Sequence, residues 1–197
     1  MKAKSFCLKI KTESAPQFID ITEWVGECVG KSKVSNGFAV IFSKHTTASV
    51  KINENEPLLL EDMTRFLEQL SPRDGAYQHN DFTIRTVNMN PDESPNGHAH
   101  LKHLLLGTKE TVPITDGSVP FGRDQRVYIT ERDHPRNREA MVQVVGDEKL
   151  RPPGSRIVHG ERRSVVWGTG VAPGEPRHNK KKINETSQTS THKPRAA

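Results

Sequence analysis

The chain has 197 residues, 32% of them hydrophobic, and its 29 Lys and Arg against 24 Asp and Glu give a formal net charge of +5. That length suits one domain with an appendage, and no window approaches the ~20 consecutive apolar residues of a membrane span. Residues 147–197 carry eleven basic and five acidic side chains, leaving 18 and 19 for the rest, so the basic character belongs to the tail and is no evidence that the folded part binds nucleic acid.

The elements follow in chain order. Phe6, Leu8 and Ile10 alternate with polar residues, which predicts a half-buried strand with Cys7 in the core. A second short strand follows at residues 18–21. Thr22 reads as the N-cap of a helix burying Trp24, Val25, Cys28 and Val29 and ending near Gly30. Asn36-Gly37 is a turn signal. Residues 38–53 read as a strand region with His45, Thr47, Ser49 and Lys51 on a polar face, because side chains alternate along a strand. Asn55 then reads as an N-cap, with Pro57 in the first turn of a helix whose Leu59, Met63, Phe66, Leu67 and Leu70 form a buried stripe.

Residues 77–95 are polar and irregular. Asn96-Gly97 opens a short helix, with Leu101, Leu104 and Leu105 as its buried face and Gly107 as its end. Strand-like runs follow at residues 111–114, 118–121, 126–131 and 140–145, with a Thr115-Asp116-Gly117 turn between the first two. Six or seven strands and three helices without a βαβ rhythm predict an α+β, antiparallel, sandwich-like domain over residues 1–146. Beyond Asp147 the periodicity stops, and Lys180-Lys181-Lys182 sits among Ser, Thr, Asn and Pro. The tail reads as a basic, mostly disordered extension, with a nuclear address or a nucleic-acid contact as the alternative. Cys7 and Cys28 form no disulfide framework, and the N-terminus shows no apolar signal core, so a reducing, cytoplasmic setting is expected.

Five histidines carry the candidate chemistry: His45, His79, His98, His100 and His103. Neutral imidazole is the commonest metal ligand, and catalytic zinc takes about three protein ligands and keeps one position open. His100 and His103 share a helical face. His98 joins them if the helix starts after it, and His45 approaches from a strand. Glu54 is a candidate general base. Arg123, Arg126, Arg136 and Arg138, with Lys102, suit phosphate or carboxylate groups; a surface ion-pair network with Glu131, Asp133 and Glu139 is the structural alternative. Zinc is the favoured ion because the ligands are imidazoles, and magnesium bridged by substrate phosphate is the alternative.

The residues from His45 through Thr46, Thr47, Ala48 and Ser49 to Asn55, then Asp62-Met63, Tyr77-x-His79 and Asn96-Gly97-His98-Ala99-His100, resemble the YjbQ family. The resemblance continues through Leu106-Gly107, Val112-Pro113, Gly117, Phe121-Gly122, Gln125, Glu131-x-Asp133 and Arg136-x-Arg138, and spans about residues 4 to 146. It implies a soluble, usually trimeric protein: a compact β-rich sandwich or pseudobarrel of mostly antiparallel strands with two or three flanking helices. It implies an auxiliary thiamine-phosphate synthase activity, joining a pyrimidine diphosphate to a thiazole phosphate with release of pyrophosphate. The family's histidines fall on His45 and His100, with His79 and His98 as further candidates. Gly122-Arg123-Asp124-Gln125 departs from the family's Gly-Thr-Trp-Gln. The resulting expectation is a metal-assisted enzyme acting on a small phosphorylated compound, with Arg136 and Arg138 on the phosphate. A non-catalytic metal- or metabolite-binding trimer is the first alternative, and a nucleic-acid-associated protein using its tail the second.

Overall fold

Period-two alternation sets the architecture. The computed structural model describes residues 1–91 and 93–148; the reading of the tail lies outside them, apart from its first two positions. Among the described residues, β1 (Lys2–Lys11), β3 (Asn36–Ser43), β5 (Lys109–Ile114) and β7 (Asn137–Asp147) form a four-stranded sheet in the order β1-β7-β3-β5. A three-stranded sheet of β2 (Gln17–Asp20), β4 (Ala48–Asn53) and β6 (Arg126–Glu131) has the order β2-β6-β4. Every pairing is antiparallel, and neither sheet closes into a barrel. The fold is thus α+β and sandwich-like, as the strand pattern predicts.

One apolar cluster draws on both sheets. Ala39, Ile41, Val112, Ile114, Val142 and Val144 come from the larger one, and Val50, Val127 and Ile129 from the smaller. Helix α1 (Thr22–Ser32) adds Val25, Cys28 and Val29. Burial raises the Cys28 thiol to about 11, which keeps it a protonated packing residue. Cys7 is exposed, on the outward face of the edge strand β1, rather than in the core. The α1 cap also differs from expectation. Ile21 holds the N-cap position, and the Asp20 carboxylate accepts from both the backbone N–H and the hydroxyl of Thr22.

Asn36-Gly37 is not a turn. Gly37 lies in β3 opposite Gly146 of β7, and a Cβ on Gly37 would sit 2.0 Å from the Val145 carbonyl oxygen. Close strand approach, not chain reversal, requires the glycine. The Thr115–Ser118 turn does form, with Asp116 and Gly117 both at positive φ, but residues 118–121 contribute only an isolated bridge.

Residues 38–53 are not one strand. β3 ends at Ser43, and the chain crosses to the smaller sheet before β4 begins at Ala48. The Ser43 hydroxyl closes this crossing by donating to the Ala48 carbonyl at 2.8 Å. His45 therefore sits in the connection between the sheets.

Helix α2 (Pro57–Leu70) is capped by Glu56 rather than Asn55; the Glu56 carboxylate accepts from the Leu58 and Leu59 N–H groups at 2.9 and 2.7 Å. Its negative charge at the positive end of the helix is favourable. Of the predicted stripe only Leu67 is fully buried, and Phe66 and Leu70 are exposed. Helix α3 (Gly97–Leu106) is reversed more thoroughly. Gly97, His98, Ala99 and Lys102 are its buried residues, while Leu101, Leu104 and Leu105 are exposed, Leu104 at 77%. Lys102 tolerates burial through an ion pair with Glu68 of α2. No helix among the described residues is long and apolar enough to cross a membrane.

Candidate functional site

The start of α3 decides which histidines meet. Gly97 is its first residue, and the Asn80 side chain accepts from the Gly97 N–H at 2.8 Å. A Cβ at Gly97 would lie 2.7 Å from Cβ of Tyr77, so only glycine lets this end dock against the turn at Gln78–Asn80. His98 is then already helical. At about 100° per residue, His98 and His100 point roughly 200° apart. His100 faces a cleft of about 1120 Å³; His98 turns inward and is not among the residues lining it. His103 takes a third direction, its Nδ1 2.9 Å from the Ser49 hydroxyl on β4.

Four imidazoles line the cleft: His45, His79, His100 and His134. His79 and His100 meet edge to face, with ring centroids 4.7 Å apart. His79 is held by the loop that follows it: Arg85 Nη1 contacts His79 Nε2 at 3.3 Å and pairs with Glu93 at 2.6 Å. Burial lowers the pKa of His100, with His79 adding to the effect against Asp133. His100 is therefore a neutral base at neutral pH.

His45 is fixed from behind. Its Nε2 accepts the backbone N–H of Glu139 at 2.7 Å. An amide only donates, so the neutral ring carries its proton on Nδ1. Burial, then Arg138, lowers the His45 pKa and favours this neutral form. A ring held this way offers a donor and no free lone pair, which does not suit a metal ligand.

Arg138 is 2% exposed and grips Glu131 of β6, its Nε 2.5 Å from Oε2, while Nη2 donates to the Thr47 hydroxyl at 2.9 Å. Glu131 is capped in turn by the backbone N–H groups of Arg132 and Asp133 and by the Thr12 hydroxyl. Next to this pair, the Asp133 carboxylate binds Arg136 and accepts from Asn96 Nδ2 at 3.1 Å. His134 Nδ1 lies 2.9 Å from Asp133 and 2.6 Å from Arg136 Nη2. It can donate to the carboxylate or accept from the guanidinium, not both, so the His134 tautomer is tied to the position of Arg136. Burial alone would raise the Asp133 pKa, but its bonds to His134, Asn96 and Arg136 outweigh that and hold it ionised.

Of the residues the sequence nominates, His45, His79, His100, Arg136 and Arg138 line this cleft together. His98 and Glu54 do not; Glu54 is exposed just beyond the end of β4. Arg123 and Arg126 also lie outside it, with Arg126 paired to Asp20. Among the described residues no three of His, Cys, Asp and Glu are placed to hold a metal ion together. The sequence reading passed over His134, whose signal was an Asp-His pair two residues before an arginine. It also missed Arg85 and Glu93, which the irregular segment gave no reason to single out.

A family model described as UPF0047 protein YjbQ-like matches residues 7–147. The chain belongs to the YjbQ-like UPF0047 family. It is 37% identical over 139 residues to a UPF0047 protein of Methanothermobacter thermautotrophicus, covering 71% of this chain and 90% of the relative. A Methanocaldococcus jannaschii relative is 35% identical over 144 residues, covering 73% and 95%. Among solved structures, a YbjQ-like protein of unknown function from Sulfolobus solfataricus superimposes with a TM-score of 0.67 at 29% identity, covering 74% of this chain and 99% of that one. A YjbQ/UPF0047 protein from Clostridium acetobutylicum gives 0.63 at 36%, covering 71% and 99%.

Proposed function

We propose that the cleft binds a small phosphorylated compound and moves a proton on it. The observation that carries this reading is the convergence of four imidazoles with Lys44, Arg85, Arg136 and Arg138 around one cavity. In this reading Arg136 and the Nδ1–H of His45 donate to phosphate oxygens, Arg138 holds the Thr47 end of the loop in place, and His100 is the base. The role assigned from sequence to Glu54 passes to His100, which lies in the cleft. Thiamine-phosphate formation is the named reaction to assay first, because both of its substrates carry phosphate.

A metal-assisted version draws on His79 and His100, two imidazoles in edge contact. With His45 engaged by the Glu139 N–H, it needs a third ligand from substrate or water, and zinc or magnesium are the ions to test. The proposal also includes a homotrimer, supported by the leucines that α3 leaves exposed.

The deciding experiment is calorimetric titration with a panel of phosphate esters, alongside elemental analysis. Wild type should bind a phosphate ester more tightly than its dephosphorylated parent. His100→Ala should keep binding and lose turnover, and Arg136→Met should lose binding by about tenfold. Equal affinity for ester and parent would overturn the reading. Metal bound by wild type and lost in His79→Ala/His100→Ala would establish the metal-assisted version.

A further inference from the structure

The outer face of the small sheet holds a second site that shares no lining residue with the cleft. Side chains alternate along β6, so Val127 and Ile129 enter the core while Tyr128, Thr130 and, just past the strand, Arg132 emerge on the other side. They floor an apolar pocket of about 220 Å³, walled by Phe18 and Ile52 from the sheet and by Met63, Phe66 and Leu67 from α2.

Arg132 is only 2% exposed, and its Nε and Nη2 have no hydrogen-bond partner among the described residues. The neighbouring Glu131 carboxylate is committed to Arg138 on the opposite face. What Arg132 has instead is the face of Phe18, with the guanidinium carbon 4.4 Å from the ring centroid. Burial pulls its pKa down to about 10, which still leaves it charged at neutral pH. The Tyr128 hydroxyl in the same pocket is also buried without a partner. Lys51 at the rim is already paired with Glu110 at 2.7 Å. A buried cation and a buried phenol, both unsatisfied, are costly unless something supplies an acceptor.

We propose that this pocket binds a small apolar carboxylate, its head on Arg132 and its body between Phe18, Met63 and Leu67. A carboxylate matches one planar guanidinium in charge and shape; a phosphate dianion would need a second free cation. At about 220 Å³ the pocket is smaller than the ~300 Å³ at which sites for drug-sized ligands begin, which limits the ligand to the size of benzoate or hexanoate.

The test is calorimetric titration of the full chain with benzoate and hexanoate, with benzyl alcohol and hexanol as neutral controls, and sedimentation in parallel. Wild type should bind the acids at least about tenfold more tightly than the alcohols. Arg132→Met, which removes an unpaired buried charge and so should fold, should erase that preference. Met63→Trp, which fills the pocket from α2 and leaves Arg132 in place, should abolish binding of acids and alcohols alike. Equal binding of acids and alcohols, no binding at all, or undiminished binding in both variants would overturn the proposal. So would a change in sedimenting mass on Arg132→Met, which would assign the missing carboxylate to a second copy of the chain.

Discussion

The two sides of α3 treat buried charges differently. On the cleft side each buried charge has a partner of its own chain: Arg138 with Glu131 and Thr47, Asp133 with Arg136, His134 and Asn96. On the far side the Arg132 guanidinium and the Tyr128 hydroxyl are left without hydrogen-bond partners among the described residues. In the cleft network every buried charge is paired within the chain, although Asn96 Oδ1 and Arg136 Nε keep no partner among the described residues, whereas the pocket holds a buried charge with no carboxylate of its own. In the proposed readings the first holds the cleft side chains in position, and the second offers unused binding capacity.

The sharpest way to break this comparison is to remove one arginine from each side. Arg138→Met leaves Glu131 buried and unpaired and should cost about 3–5 kcal/mol, read by urea unfolding. Arg132→Met should cost less than about 1 kcal/mol, since no carboxylate is orphaned. Similar losses for both would mean that Arg132 has a structural partner after all.

Gly97→Ala tests the element the two sides share. The added methyl meets Tyr77 and should cost about 1–3 kcal/mol. Because it disturbs the start of α3, it should also weaken phosphate-ester binding, measured by the same titration. Unchanged stability and binding would show that the turn at Gln78–Asn80 yields without moving His100.

The pH dependence is a smaller effect and concerns both sides. His45, His98, His100 and His103 all have pKa values lowered from 6.5, burial being the main cause in each. The unfolded chain therefore binds more protons than the folded one below that value. Stability should be fully present above about pH 6.5 and fall as the pH drops through the lowered folded values, as thermal unfolding across pH 5–8 would record. His98→Leu should flatten part of that slope, and an unaltered slope would remove His98 from the account.

The smallest effect belongs to the outer surface of α3. Leu104→Ser should change the stability of the isolated fold by no more than about 0.5 kcal/mol, because Leu104 packs against little. The proposed homotrimer makes a separate prediction for the same variant, a lower sedimenting mass. A variant that keeps its mass would place the trimer contact elsewhere.

Much of the fold was legible because strands announce themselves locally. The β6 bounds, Arg126–Glu131, agree residue for residue with the alternation, and β1 and β7 differ from it only in length. Helix faces were less legible. Leu101, Leu104 and Leu105 signal a buried stripe by spacing, yet α3 buries His98 and Lys102 instead, because Glu68 and the surrounding tertiary structure compensate Lys102. The site was legible in part: His45, His79, His100, Arg136 and Arg138 were nominated by type and share one cleft. Glu54 and His98 were nominated on the same grounds and lie elsewhere, since strand end and helix phase are properties of position rather than of residue type.

The sequence by itself determined most of the strands, the antiparallel α+β class, the family and the stock of imidazole and guanidinium groups, all of which rest on local pattern or composition. Tertiary structure alone decided where the chain leaves β3, so that His45 stands in a crossing with its Nε2 already taken. It decided at which residue α3 begins, and with that which histidines converge. It also decided which buried charges have partners, because burial and pairing depend on segments far apart in sequence, as Thr12, Thr47, Glu131 and Arg138 do.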